Sequence, residues 1–446
     1  MYPLTESQCG EIIGLYKNKQ SVPKISRMLK VHRTTVTHTI DKSQKILKTI
    51  VKDNNKKSAE EIKKIFVEKT NNELIFNKIK NYQQSNYQQS RTLPHHVIPV
   101  IIDTDGDNDD FFAILYALKS KNLDVRGVTY HGNGWSHAAS VQNIVDIIDD
   151  IYSGKNIPVI LGTDYSLYES DRNPNTLGTP GCTYQKSVPE GAAGGRRDSD
   201  LLYGLNRKLR LSKRIWYDAI KDFNITQDFA DLIDSTIEAT GKKPTIIAMG
   251  TATNIAMLLR AFPTYNTKIE RIVWMAGALD VAGNVFTVPN NTRAEYNVYL
   301  DCVAAQELLD SDLKITLIPL DFTNKTPFNP AFFDKLSTLT SFYGKFAYQL
   351  LKMIRATWLG GELEFYNGYF LWDAKAVGFV KNIGVAKVVS NRTLAITCTE
   401  DKNYNGQFVA SQVLTKADLE IATEPIVSDL VEDSPFFQDF IDVLEY

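Results

Sequence analysis

One stretch, Val97 to Leu118, constrains this chain more than any other. It opens on an uncharged, mostly β-branched run, Val97 to Ile102, which reads as a buried strand. Pro99 cannot donate to a ladder, so the paired part of that strand is expected to begin at Val100. Five carboxylates then fall within eight residues: Asp103, Asp105, Asp107, Asp109 and Asp110. An apolar run, Phe111 to Leu118, follows and is long enough for a helix, expected over Phe111–Ser120. Five acids at the carboxyl end of a strand repel one another unless a cation sits among them. An open α/β sheet puts its ligand site at that end. The stretch therefore points to an oxygen-liganded site for a hard cation, Ca²⁺ or Mg²⁺.

Two rival readings fail on spacing. In an EF-hand loop starting at Asp103, the sharp-turn position that wants Gly carries Asn108, and the bidentate Glu position carries Ile114. An Asp-x-Asp phosphatase pattern with Asp103 as nucleophile leaves Asp109 and Asp110 unexplained. A merely solvated acidic loop fits poorly against so apolar a strand.

Downstream, strands and helices alternate. Strands are expected over Leu123–Tyr130, Pro158–Leu161, Lys243–Met249, Glu270–Met275 and Lys314–Pro319, with helices over Ser136–Tyr152 and from Asn254. That order predicts an α/β fold, an open and mostly parallel sheet with helices on both faces. A Gly-, Pro- and charge-rich excursion runs between Gly162 and Trp216, and residues 380 to 446 suggest strand pairs and a final helix.

The front of the chain has a different texture. Residues 1 to 96 carry 18 Lys and Arg against 8 Asp and Glu, whereas the remainder carries 32 against 44. Residues 1–80 are expected to form a small all-α module. Thr5 and Gln8 stand at capping-box spacing, as do Ser58 and Glu61. The second and third helices, around Ser21–Leu29 and Arg33–Ile40, match a helix-turn-helix pattern, with Arg33, Thr34, Thr35 and Thr37 on the recognition helix. The run Ile25 to Val36 resembles the front DNA-binding module of mariner-type transposases. Residues 81–96 read as a linker, with Asn81-Tyr-Gln-Gln-Ser repeated in tandem, and 97–446 as the α/β domain. Cys9, Cys182, Cys302 and Cys398 form no C-x-x-C pair, so reduced thiols and no zinc site are expected. No apolar run reaches the length of a membrane span and residues 1–10 lack a signal-peptide core, so the default expectation is a cytoplasmic protein, or a nuclear one if the front module binds DNA.

The pattern Asp103-Thr-Asp105-Gly106-x-x-Asp109-Asp110-Phe111 resembles the signature of the inosine-uridine-preferring nucleoside hydrolases. Further pieces follow in that family's order: Gly132-Asn133, Ala248 to Ala256, Met275-Ala-Gly277, Ala294 to Asp301, and Trp372-Asp373. The resemblance spans about residues 97 to 440. It implies the Rossmann-like nucleoside hydrolase fold, a homo-oligomer and Ca²⁺-dependent hydrolysis of the N-ribosidic bond of nucleosides. It implies Ca²⁺ held by Asp105, Asp110, the Thr253 carbonyl and Asp373, with Asp105 as general base. It also implies nucleoside contacts from Asp107, Asp109, Asn133, Met275, Asn284, Glu295 and Asn297. Asp103 is expected to orient the loop by hydrogen bonds. Two departures from the commoner signature, Gly106-Asp107 and Trp372, resemble the purine-preferring branch, where a Trp stacks on the base and substitutes for a protein acid. Trp135, Tyr165, Tyr168 and Tyr184 are candidates for the facing wall, and His131 and His137 receive no role. The alternative, from another class, is a DNA-binding protein whose hydrolase-like body senses a ligand.

Overall fold

The computed structural model describes residues 96–131, 225–286, 288–325, 328–358, 361–381, 387–390, 394–410, 419–423 and 435–446, with scattered residues between 144 and 167. These belong to one compact unit, Leu93–Tyr446. The helix-turn-helix, the linker, Asn133, Trp135, His137, Tyr165, Tyr168 and Tyr184 lie outside the described residues.

Ten strands are described: β1 (Ile98–Thr104), β2 (Leu123–Tyr130), β3 (Val159–Leu161), β4 (Thr245–Ala248), β5 (Arg271–Met275), β6 (Ile315–Ile318), β7 (Lys387–Ser390), β8 (Leu394–Thr397), β9 (Gln407–Ala410) and β10 (Leu419–Thr423). The described helices are α1 (Asn108–Lys119), α2 (Ile225–Thr240), α3 (Thr253–Ala261), α4 (Tyr296–Leu300), α5 (Cys302–Asp310), α6 (Leu320–Thr323), α7 (Pro330–Ser337), α8 (Phe342–Thr357), α9 (Glu362–Gly368), α10 (Trp372–Val380) and α11 (Pro435–Glu445). The main sheet runs β3-β2-β1-β4-β5-β6-β10-β7; β8 and β9 form a separate hairpin. Every pairing in the main sheet is parallel except β10 with β7. This is the α/β architecture expected from the alternating pattern.

Successive residues of β1 feed opposite faces. Val100 and Ile102 join a core with Phe111 and Tyr116 of α1, Leu350 of α8 and Phe440 of α11. Ile101 joins another with Phe229 and Ile233 of α2, Ile255 of α3, Trp274 of β5 and Leu308 of α5. A strand buried on both faces reads as a continuous apolar run, which is why Val97–Ile102 carries no alternation. Burying one such side chain is worth about 1.5–3 kcal/mol, which anchors the strand that carries the acidic loop.

Pro99 acts on one side only. Pairing with β4 begins at Val100, as expected. Pairing with β2 begins earlier, at Ile98, whose N–H donates to the Asn122 carbonyl. The first helix also starts earlier than its apolar run, at Asn108, because Asp107 occupies its N-cap.

The strand order reverses at β1. The chain steps from β1 to β2 and β3 on one side, then places β4 on the other. The ends of β1 and β4 therefore flank the crevice where open α/β sheets bind ligands.

The expectation of reduced thiols is corrected: Cys302 and Cys398 form a disulfide, with Cα atoms 5.5 Å apart. The β8–β9 hairpin folds back on α5, bringing together two cysteines 96 residues apart in sequence. Among the described residues, no helix is long and apolar enough to cross a membrane.

Candidate active site and metal centre

The loop after β1 is folded by its own acids. Asp103 is fully buried and turned inward: its Oδ1 accepts from Thr129 Oγ1 at 2.6 Å and from Asn254 Nδ2 at 2.9 Å. Burial raises its pKa, with His131 acting in the opposite direction. The Asp107 amide donates to both Asp105 Oδ1 (3.3 Å) and Asp110 Oδ2 (3.1 Å), drawing these two side chains together. Thr104 Oγ1 donates to Asp110 Oδ1 and accepts the Gly106 amide at 3.2 Å. Gly106 has φ of +74°, a backbone that proline cannot adopt and other side chains rarely do. Both members of the Gly106-Asp107 pair thus have a local structural reason: one turns the chain and the other caps α1.

α10 packs across α1 and brings Asp373, from its first turn, to the same point. Asp109, Asp110 and Asp373 each offer an oxygen within 4.8 Å of the others, an arrangement that could hold a metal ion. Asp105 adjoins them, sharing the Asp107 amide with Asp110. Asp105, Asp110 and Asp373 are at most 3% exposed, and Asp109 is half-buried. The Asp373 carboxyl is driven well above the usual carboxylate range, first by burial and then by Asp109, Asp110 and Asp105. Asp110 is raised in the same way, by burial, Asp105 and Asp109. Protons or a cation must compensate such a cluster. An all-oxygen, anionic and buried donor set fits a hard divalent ion.

The turn after β4 closes one side. A Cβ on Gly250 would lie 2.8 Å from the Asp105 Cβ, so this backbone touches the acidic loop directly. Thr253, fully buried, opens α3 at the end of that turn.

A second group of polar side chains follows β5. The Glu295 carboxylate accepts from the Asn297 amide (2.9 Å), the Gly277 amide (3.0 Å) and the Val298 amide (3.4 Å), capping α4. Burial outweighs these bonds and pushes its pKa up to about 7. Asn297 Nδ2 donates to the Met275 carbonyl (3.0 Å) and the Met249 carbonyl (3.2 Å), tying α4 to the ends of β5 and β4. With its protons so engaged, the atom Asn297 can offer a hydroxyl is its Oδ1 acceptor. Met275 is buried, its Sδ 3.7 Å from the same Nδ2. Asn284 is half-buried and accepts the Tyr296 amide at 2.9 Å, beside Glu295. Trp372 begins α10, half-buried; its indole N–H donates to Asn324 Oδ1 at 2.9 Å, and its ring packs edge-to-face with Tyr369 and tilted against Phe370.

Some residues that organise the site carry no role in the sequence reading. Asn254 and Thr129 hold Asp103. Asn324 fixes the Trp372 ring. Asp301 accepts from Thr253 and Leu167. Asn254 and Asp301 stand inside or beside motifs quoted above, but nothing in their spacing indicates partners 151, 48 or 134 residues away.

A family model described as inosine-uridine preferring nucleoside hydrolase matches residues 100–427. The chain belongs to that family. Nucleoside hydrolase 3 of Arabidopsis thaliana is 28% identical over 324 residues, covering 64% of this chain and 35% of its own length. A pyrimidine-specific ribonucleoside hydrolase of Escherichia fergusonii is 25% identical over 234 residues, covering 51% of this chain and 62% of its own. The chain thus spans between about a third and three fifths of the length of these curated relatives. The inosine-uridine preferring nucleoside hydrolase of Bacillus anthracis superposes with a TM-score of 0.60 at 19% identity, over 78% of this chain and 99% of that one. A purine-preferring ribonucleoside hydrolase from Gardnerella vaginalis gives 0.55 at 20% identity, with the same coverage. These two likenesses establish the fold.

Proposed function

We propose that this nucleoside hydrolase cleaves the N-ribosidic bond of purine nucleosides to free base and ribose, with Ca²⁺ as its cofactor. The observation that carries the reading is the convergence of the half-buried Asp109 with buried Asp110 and Asp373, Asp105 alongside, at the strand-order reversal, with Glu295 within electrostatic reach of Asp105.

Asp105, Asp110, Asp373 and the Thr253 carbonyl would hold the ion. Bound there, Ca²⁺ would acidify a water and grip the ribose diol. Asp105 then takes the proton of the attacking water at its carboxylate. Asp109 and Asn133 hold the 2′- and 3′-hydroxyls, Asn297 the 3′-hydroxyl through Oδ1, and Glu295 with Asn284 the 5′-hydroxyl. Met275 and Asp107 line the ribose side. These groups fix the sugar while positive charge develops at the anomeric carbon and the bond to the base breaks. The departing base gains a proton from solvent water. Trp372, stacked on it, favours the purine.

Purine preference rests on Trp372, since Gly106 and Asp107 have structural reasons of their own and the relatives include a pyrimidine-specific enzyme. Trp372→Ala is expected to lower kcat/KM for inosine about tenfold or more, the scale of one base stacked on an aromatic ring, and for uridine much less. Equal losses would make Trp372 a packing residue.

A panel of inosine, guanosine, adenosine, uridine and cytidine tests the whole reading, using protein stripped by chelator and then resupplied with Ca²⁺. Release of purine that is lost on stripping and restored by Ca²⁺ is expected. Unchanged turnover after stripping would remove the metal from the mechanism, and faster release of uracil would reverse the preference. The basic residues 1–80 add a separate proposal, duplex DNA binding that weakens steeply with salt. A homo-oligomer is likewise proposed, and sedimentation would measure it.

A further inference from the structure

We propose that Asp301 is a positioning residue for the metal centre, acting through the Thr253 hydroxyl to fix the peptide whose carbonyl would be one of the ion's ligands. This rests on the metal reading above. Asp301 is fully buried and is the N-cap of α5. Capping uses one oxygen: Oδ1 accepts the Ala304 amide at 3.1 Å. The other oxygen reaches far beyond the cap. Oδ2 accepts from Thr253 Oγ1 at 2.6 Å and from the Leu167 amide at 2.7 Å. The start of α5 is itself pinned by the Cys302–Cys398 disulfide, so Asp301 grips from a fixed base.

The direction of the hydrogen bonds follows from chemistry. An ionised carboxylate only accepts, so the single proton of the Thr253 hydroxyl goes to Asp301. Thr253 Oγ1 also lies 2.7 Å from Thr251 Oγ1, and in that contact Thr251 must be the donor. Thr251, Thr253 and Asp301 form a hydrogen-bonded chain along the turn after β4, with His131 Nδ1 3.5 Å from Thr251 Oγ1. That turn begins at Gly250, against both His131 and Asp105. The chain holds the Thr251–Thr253 backbone in register with the acidic loop of β1. A neutral carbonyl is a weaker ligand than a carboxylate, so its contribution depends on being set in place before the ion arrives. Outer partners of metal ligands typically matter by about 10–100-fold in affinity.

The test uses the full chain stripped of metal and titrated with Ca²⁺ by calorimetry, beside thermal unfolding and turnover. Thr253→Val keeps the branched shape and the carbonyl but removes the hydroxyl. It is expected to weaken Ca²⁺ binding about 10–100-fold, read as a displaced calorimetric isotherm. Thr253→Ser restores the hydroxyl and is expected to bind within about threefold of wild type, a variation of the size context alone introduces. Asp301→Asn can keep its amide oxygen toward Thr253 and Leu167, and is expected to fall between. If Thr253→Val lowers the melting temperature but leaves the Ca²⁺ isotherm unchanged, the bond is structural only and the proposal falls. If the wild-type chain itself takes up no Ca²⁺, the metal reading falls, and this inference with it.

Discussion

Asp105→Asn is expected to lower kcat on inosine by about 10²–10⁴-fold, the contribution of a positioned general base, with the fold retained. The substitution is close to isosteric. An asparagine Oδ1 can still accept the Asp107 amide that Asp105 accepts at 3.3 Å, so the loop after β1 keeps its shape. What is lost is the group able to take a proton, together with one negative charge of the cluster. These losses separate experimentally. The missing charge weakens Ca²⁺ binding, and raising Ca²⁺ overcomes that part. The missing base does not respond to Ca²⁺, so kcat stays low at saturation. Intact near-ultraviolet circular dichroism, with Ca²⁺ uptake at higher concentration, would show that the site still assembles. Turnover within about tenfold of wild type at saturating Ca²⁺, far short of the loss a general base implies, would move the role of base elsewhere, with Asp109 the next candidate.

The parts of this molecule that are legible in the sequence are those whose causes are local. β1, β4, β5 and β6 declare themselves as apolar, largely β-branched runs because both faces of a parallel strand are buried, whereas β2 alternates over Leu123–Arg126, where Asp124 and Arg126 are half-buried. The acidic loop declares itself because five carboxylates crowd into eight residues. Its alternative employment was equally local and was overshadowed: Asp107 and Asp110 stand three apart, at N-cap and N3 of α1, so the acids that read as ligands also build the helix start. Asp373 is different. It meets Asp110 only because α10 crosses α1, a packing event that no periodicity encodes, and it entered the candidate site through resemblance alone. Asp301 could be read as a plain N-cap, but its second oxygen acts on Thr253 and Leu167 through tertiary contact. The disulfide fails to show for the same reason. Cys302 and Cys398 become neighbours only when the β8–β9 hairpin folds onto α5, and sequence spacing carries no trace of that. Glu295 marks a further limit. The family resemblance implies a hydroxyl contact, whereas the structure also commits it to three backbone amides.

Asp373→Asn is expected to affect stability and function in opposite directions. In the metal-stripped protein the Asp373 carboxyl is buried among Asp109, Asp110 and Asp105, and its pKa is raised by that burial and by their charge. A carboxyl with a raised native pKa binds more protons in the folded state than in the unfolded one. Over the pH interval between its ordinary value and its raised value, stability therefore falls as pH rises. Neutral asparagine removes this term. At neutral pH the stripped variant is expected to be more stable than stripped wild type by about 0.5–2 kcal/mol, as is common when a functional site is relieved of strain. It should also show a flatter decline of stability with pH. Added Ca²⁺ reverses the order. Ligand binding at a hundred times Kd stabilises a native protein by about 2.7 kcal/mol, and wild type gains this while the variant, short of one ligand, gains little. Because Ca²⁺ must displace the protons held by Asp373 and Asp110, the stabilisation of wild type by Ca²⁺ should itself grow with pH. Four melting curves, wild type and variant with and without Ca²⁺, read out the crossing. Parallel shifts in both proteins would mean that Asp373 is not a ligand. A stripped variant less stable than stripped wild type would mean that the cluster is compensated within the folded chain, and that the case for a cation there must rest on other residues.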